Sequence, residues 1–251
     1  MIQTEKIGRV LVARMDHGKV NAIDSSLMDA LIDLLQEAET SSASSVVLTG
    51  TGKAFSAGVD LFQVLEGGTE YLKEFLPKLS SGLEKLFLFP KPVIAAVNGH
   101  AVAGGCVLTC ASDYRIMAEG VYTIGLTELQ VGVPFPAVPM EIIRYAADPR
   151  FINEIVYTAR TYSAEEGLAR GLVDELSPPE LLLQRSCEIA EKLGAIPPHT
   201  FRITKHHLRL PYMYQAKQRA PEDAAILNAW TAPQTHEIIR GYLEKTIGKR
   251  R

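Results

Sequence analysis

Two small-residue turns and one glutamate hold the residues of this chain that could do chemistry. The first turn, Lys53 to Leu61 (KAFSAGVDL), follows the apolar run SSVVLTG. The second lies in NGHAVAGGCVLTCASDYRI, Asn98 to Ile116, and follows KPVIAAV. From Ala101 to Cys110 this stretch has no charged side chain, and it sets Gly104 beside Gly105. Both turns lead into sequence with helical spacing. The first amides of a helix have no intrahelical acceptor, and turns at the carboxyl ends of strands in an α/β sheet are where ligands bind. Two such turns brought together would aim two amide donors at one point. That arrangement stabilises negative charge developing on a carbonyl oxygen. The same glycines also serve plain close packing between strand and helix, and spacing alone leaves both readings open. GHAVAGG is not GxGxxG, and the chain has no GxxxxGK[ST], so nucleotide phosphate binding is not expected.

The third piece is YTIGLTELQVGVPFP, Tyr122 to Pro136, in which Glu128 stands among apolar neighbours. A carboxyl in such surroundings has a raised pKa suited to proton transfer near neutral pH. An exposed loop glutamate is the other reading of the same residues. Cys106 and Cys110 are spaced i, i+4, but no second pair or nearby histidine completes a metal set, so buried apolar thiols and no metal are expected. Three cysteines are too few for a disulfide framework and fit a reducing, cytoplasmic setting. The first residues, MIQTEKIGRV, show neither a secretory nor a mitochondrial leader pattern.

These residues must be positioned by a chain of 251 residues, 47% hydrophobic and 22% charged, with net charge −3. That balance gives no global basic field, so nucleic acid is not an expected partner. Two short basic stretches, RITKHHLRL (Arg202 to Leu210) and the terminal GKRR, read as solvated surface. No apolar run is long enough to span a membrane. RVLVARM, SSVVLTG, PVIAAVNG, YRIMAEG and VYTIG read as strands. Asp24 opens a helix whose stripe is Leu27, Met28, Leu31, Leu34, Leu35 and Ala38. Leu72, Phe75, Leu79, Leu83 and Leu86 mark a second, with a bend expected at Pro77. A short helix should follow Gly105. Beyond about Phe135 the pattern turns helical: Ser163–Glu166 is a capping box, Leu181 to Leu193 is a helix, and IPPH (Ile196 to His199) reads as a linker. Strand, turn and helix in repetition predict an α/β fold. Residues 1–195 would form the core and residues 196–251 a helical region.

Together GKVNAI, FSAGVDL, KPVIAAVNGHAVAGGC, DYRI, TELQVG, YSAEEGLARGLVDEL and EIIRGYLEK resemble the crotonase, or enoyl-CoA hydratase/isomerase, superfamily over nearly the whole chain. The resemblance implies a spiral of ββα turns with C-terminal helices that support a homotrimer or a dimer of trimers. It implies an acyl-CoA thioester as substrate, with coenzyme A entering as part of it and no separate cofactor. The oxyanion donors would be the amides of Val59 and Gly104, with Gly104 and Gly105 kept small so that a thioester can reach the backbone. Lys19, Val20, Ala57, Asp60 and Leu61 would lie along coenzyme A. Tyr242 and Lys245 match positions at which the family reaches the coenzyme A of a neighbouring subunit.

One departure matters. Hydratases of this superfamily carry two glutamates, one in a GGCE pattern and one in a PE or TE stretch. Here the first position is Val107 and the second is Glu128. Valine can neither hold a water nor exchange a proton, whereas one carboxylate suffices to shift a double bond. The stretches around Gly104 and Glu128 are similar to those of mitochondrial Δ3,Δ2-enoyl-CoA isomerases, which points to that activity. A divergent hydratase, a thioester hydrolase or decarboxylase, and a non-enzymatic acyl-CoA-binding scaffold are the alternatives. Glu66 and Glu70 could replace the missing glutamate, and His100 is expected to pack rather than to act as a base.

Overall fold

The computed structural model describes residues 1–247; the basic tail expected as solvated surface, 248–251, lies outside them. The chain opens with strands β1 (Ile2–Ile7) and β2 (Val10–Met15), then helix α1 (Ser25–Thr40). Asp24 caps α1 as its spacing predicts, its Oδ1 accepting from Leu27 N at 2.8 Å, and the whole predicted stripe is buried. Then a unit repeats: β3 (Ser45–Gly50), β4 (Ala54–Ser56) and α2 (Leu61–Phe87), then β5 (Val93–Val97), β6 (His100–Val102) and α3 (Gly104–Ala111), then β7 (Tyr114–Ala118) and β8 (Thr123–Gly125). In each unit the first strand joins a large sheet, completed by β10 (Glu175–Ser177) and ordered β1-β2-β3-β5-β7-β10, and the second joins a small sheet, completed by β9 (Thr161–Ser163) and ordered β4-β6-β8-β9. The central ladders β2–β3, β3–β5 and β5–β7, with β4–β6 and β6–β8, are all parallel. The chain thus spirals between two sheets, with the expected ββα turns.

The two sides of the large sheet bury different residues, as the period-two alternation of a strand requires. Val46, Leu48, Ala95 and Val97 face the main core with α1, α2 and α3. Val47, Ile94, Ala96 and Ile116 face Leu182 and Ala190 on the outer side. After β8 come a one-turn 3-10 helix (Glu128–Val131), α4 (Ala137–Ala146), α5 (Ile152–Thr158), β9 (Thr161–Ser163), α6 (Ala164–Ala169), β10 (Glu175–Ser177) and α7 (Leu182–Gly194). The capping box at Ser163 forms. The last helices are α8 (Pro198–Gln218), α9 (Asp223–Thr231) and α10 (Pro233–Ile247).

Three expectations need correcting. The helical backbone of α2 breaks at Gly68 (φ 54°, ψ −143°), with Pro77 inside the helix; a glycine reaches that conformation without a Cβ penalty. IPPH is a connection only in its first half: Ile196 and Pro197 lie between α7 and α8, and Pro198 starts α8 at the position where its missing N–H costs nothing. The stretch Arg202 to Leu210 is not a solvated face throughout: Lys205 is 4% exposed and Arg209 2%. Strands β9 and β10 escape sequence reading because three residues show no alternation. Among the described residues, no helix is long and apolar enough to cross a membrane.

Candidate functional site

The first turn is held by groups on both sides of it. Ile23 N donates to Gly58 O at 2.7 Å and Asp60 N to Ile23 O at 2.9 Å, so the Val59 amide between them is left free. Ala57 N donates to Val20 O at 3.0 Å. Ser56 Oγ donates to Asn21 O at 2.7 Å and accepts from Gly58 N at 3.2 Å. Asn21, fully buried at φ 49°, gives its amide hydrogens to Ala54 O and Phe55 O. Sequence reading missed Asn21 and Ser56 as supports; NAI and FSAG hold their only signal. Asp60 caps α2 through Oδ1, which accepts from Phe62 N at 2.9 Å and Gln63 N at 3.2 Å.

The second turn is built from backbone. Ala103 precedes α3 at φ 51°, ψ −124°, and its N–H reaches Gly125 O at 2.8 Å. Gly104 then starts the helix. Among the described residues, neither the Val59 nor the Gly104 amide donates to a protein acceptor. The turns face each other closely. A Cβ on Gly58 would stand 3.0 Å from the Gly104 nitrogen, and a Cβ on Gly104 would stand 3.7 Å from the Val59 nitrogen. The two turns that carry the free amides therefore lie side by side, each leading into a helix. The two glycines of the pair differ in purpose, a refinement of the expectation. Gly104 keeps the space before the amides open, while a Cβ on Gly105 would collide with the Ser56 carbonyl of β4.

These amides open into a narrow cavity of about 70 Å³. Ala57, Val59, Ala103 and Gly104 line one end, with Leu61 beside them. Glu128, first residue of the 3-10 helix, lines it too. Its Oε2 is buried without a hydrogen-bond partner. Burial pushes the Glu128 carboxyl up to about 7, outweighing the opposing pull of the Glu128 and Thr127 backbone amides. At neutral pH such a group is close to half ionised, so it can both take and return a proton. Val107, one turn into α3 and 2% exposed, lines the same cavity. Among the described residues, Glu128 is the sole ionisable carboxyl or cationic side chain in its lining. Glu66 and Glu70 sit exposed on α2, outside the cavity. His100 Nδ1 accepts from Thr123 N at 3.1 Å, a packing role as expected.

The C-terminal helices close the site. Trp230 of α9 lines the cavity and donates from Nε1 to Pro134 O at 3.0 Å, tying down the segment that follows Glu128. Sequence reading missed it. Helix α10 packs on the 3-10 helix, and Tyr242 lines the cavity of its own chain. Lys245 is exposed one turn further on, and Lys19 and Val20 are exposed near the first turn, outside the cavity lining. The three cysteines are buried and free, and no metal-binding cluster occurs among the described residues.

The family profile described as enoyl-CoA hydratase/isomerase matches residues 5–249. A Thermus thermophilus protein provisionally named an enoyl-CoA hydratase is 34% identical over 98% of both chains. A Mycobacterium tuberculosis protein, called an enoyl-CoA isomerase with one solved structure and a probable enoyl-CoA hydratase with another, superposes with a TM-score of 0.81 at 28% identity, over 89% of this chain and 97% of that one. The human mitochondrial Δ3,Δ2-enoyl-CoA isomerase shares the fold with a TM-score of 0.89 at 24% identity, over 100% and 99% of the two chains. Sequence and fold agree along nearly the whole length, and the chain belongs to the enoyl-CoA hydratase/isomerase family.

Proposed function

We propose that this protein is an enoyl-CoA isomerase that moves a double bond from C3 to C2 of an acyl-CoA thioester. The observation that carries the reading is the single carboxyl, Glu128, in a cavity where Val107 stands at the hydratases' other glutamate position. The thioester oxygen sits between the Val59 and Gly104 amides. Ionised Glu128 takes a proton from C2, and the electron pair spreads through C3 and C4 and onto the thioester oxygen. The amides hold that charge. Glu128 then returns the proton at C4: the C2–H bond and the C3–C4 double bond are lost, and a C4–H bond and a C2–C3 double bond are gained. No water is consumed.

The acyl part is a plain hydrocarbon. Leu79, Leu83, Val107, Val131 and Phe135 form the wall around Glu128, and no lysine or arginine lines it among the described residues. A substrate carboxylate would meet no counter-charge there and would face Glu128, which disfavours decarboxylation. The Ala57–Leu61 side takes the pantetheine arm, with Lys19 and Lys245 near enough in sequence to the site elements to meet phosphate. A homotrimer or dimer of trimers is the assembly proposed. The hydratase name of the Thermus relative favours water addition as the second reading.

A paired assay separates the two. Purified protein is given trans-3-enoyl-CoA and trans-2-enoyl-CoA separately, and products are resolved by chromatography and mass. Conversion of the first to its 2-enoyl isomer without mass gain is expected. Gain of water on the second would overturn the single-glutamate reading.

A further inference from the structure

The basic stretch on α8 turns inward at Arg209, which no step of the chemistry uses. The residue is 2% exposed, and its guanidinium lies 4.4 Å from the Phe87 ring centre and 5.1 Å from that of Tyr145. Nη1 donates to Phe87 O at 2.7 Å and to Ala111 O at 2.9 Å; Nη2 donates to Ser112 O at 2.8 Å. Phe87 is the last residue of α2 and Ala111 the last of α3. Final carbonyls of a helix have no intrahelical donor, and one planar cation here satisfies those of two helices at once. Asp113 Oδ1 stands 3.0 Å from Nη2 and balances the charge. Asp113 Oδ2 also accepts from Lys205 Nζ at 2.7 Å.

What makes this bear on the site is where the two helices lead. Helix α3 is eight residues, about 12 Å at 1.5 Å per residue. Gly104 and its free amide stand at one end and Arg209 grips the other. Helix α2 supplies Leu79 and Leu83, the cavity wall opposite. The amino end of α3 has no side-chain cap; backbone holds it there, through the Ala103 N–H on Gly125 O and the close fit of Gly105 against Ser56, and Arg209 holds the far end. Among the described residues, no other element of the fold sends a side chain to the final carbonyl of α3.

We propose that Arg209 is a positioning residue: by bonding the carboxyl ends of α2 and α3 together, it sets the place of the Gly104 amide along the α3 axis. A rigid planar fork fixes the spacing of the carbonyls it bridges, which an ammonium on a flexible stem does not. The proposal rests on the reading of Val59 and Gly104 as oxyanion donors.

The test compares Arg209→Lys with Lys205→Met, which disturbs the same buried cluster without touching either helix end. The first readout is the infrared stretch of the thioester carbonyl in bound octanoyl-CoA, isotope-labelled at that carbon and unreactive. The second is kcat and KM for the 3-enoyl substrate, below the unfolding transition of each variant. Arg209→Lys should shrink the downward shift of the carbonyl stretch and lower kcat by about 10- to 100-fold, with KM within about twofold of the parent. Lys205→Met should lower Tm and keep both. If Arg209→Lys does not fold, Phe87→Leu loosens the guanidinium without deleting it and should move both readouts the same way, less far. An unchanged stretch and kcat in the Arg209 variant, or equal losses in both cluster variants, would overturn the proposal. A parent enzyme with no carbonyl shift would overturn the oxyanion reading itself, and this proposal with it.

Discussion

The two sides of the cavity do opposite kinds of work. On the α3 side, Ala103, Gly104 and Val107 offer one free amide and no side-chain chemistry. On the 3-10 side, Glu128 offers a single ionisable carboxyl, pushed up to about 7 by burial. Backbone donors need no reorganisation as charge develops, so they suit stabilisation. A carboxyl that is half ionised near neutral pH suits proton transfer. Swapping these properties would fail twice: a carboxylate beside the oxyanion would repel it, and a backbone amide cannot carry the proton.

Removing the carboxyl breaks this division most severely. Glu128→Gln should lower turnover by about 10²–10⁴-fold while acyl-CoA affinity, measured by calorimetry, stays near that of the parent. In the parent, kcat/KM should rise with pH through about 7 as the base ionises. Stability should move the other way. The folded carboxyl titrates near 7 and the unfolded one near 4.5, so the protein favours the neutral form. The Glu128 contribution to stability is therefore fully present below about pH 4.5 and is lost as pH rises through about 7. The ionised group costs on the order of 3 kcal/mol at pH 8, and Glu128→Gln should unfold at a higher temperature than the parent there. A variant that kept parental turnover would remove Glu128 from the mechanism.

Adding a carboxyl to the other side tests the division from the opposite direction. Val107→Glu would put a second acid in the same apolar cavity, with no cation in its lining among the described residues. Two carboxyls facing one cavity would share a proton and both titrate upward. The variant should lose about 1–3 kcal/mol of stability, more at pH 8 than at pH 5, where both acids are neutral. Isomerisation should slow, with no water added to the 2-enoyl compound. Efficient hydration would mean that this fold needs only the missing side chain.

The two sides also differ in how far they can be read from sequence. The Gly104–Gly105 turn is local: an apolar strand, a charge-free turn and a helix follow one another within Lys91 to Ala111. The environment of Glu128 is not local. The cavity it lines is completed by Trp230 and Tyr242, about a hundred residues away, and Ile238 packs close to Gly132 at the end of its 3-10 helix. Its neighbours along the chain suggest burial without showing what does the burying. Arg209 is the extreme case. Its helix has a polar sequence, and nothing in RITKHHLRL shows that one arginine meets the ends of two distant helices. The N-terminal spiral is legible because Asp24, the α1 stripe and the apolar strands each act within a few residues. The C-terminal helices take their meaning from what they cover.

The smallest effect concerns Ala103, where the two turns solve one geometric problem differently. The first turn meets its left-handed residue with Gly58 at φ 84°, and a Cβ there would stand 2.7 Å from that of Ala103. The second uses an alanine at φ 51°, ψ −124°, a conformation that costs an L residue roughly 1–3 kcal/mol. Opposing that cost, alanine restricts the unfolded chain and stabilises by about 0.4–1 kcal/mol relative to glycine. Strain is the larger quantity, so Ala103→Gly should raise stability by about 1 kcal/mol, read as a small rise in Tm. If Ala103 only closes the turn, kcat stays the same. If its methyl helps keep the Gly104 amide aimed at the substrate, kcat falls several-fold while Tm rises. A fall in both would mean that the Ala103 methyl contributes more by packing against the cavity than its backbone costs.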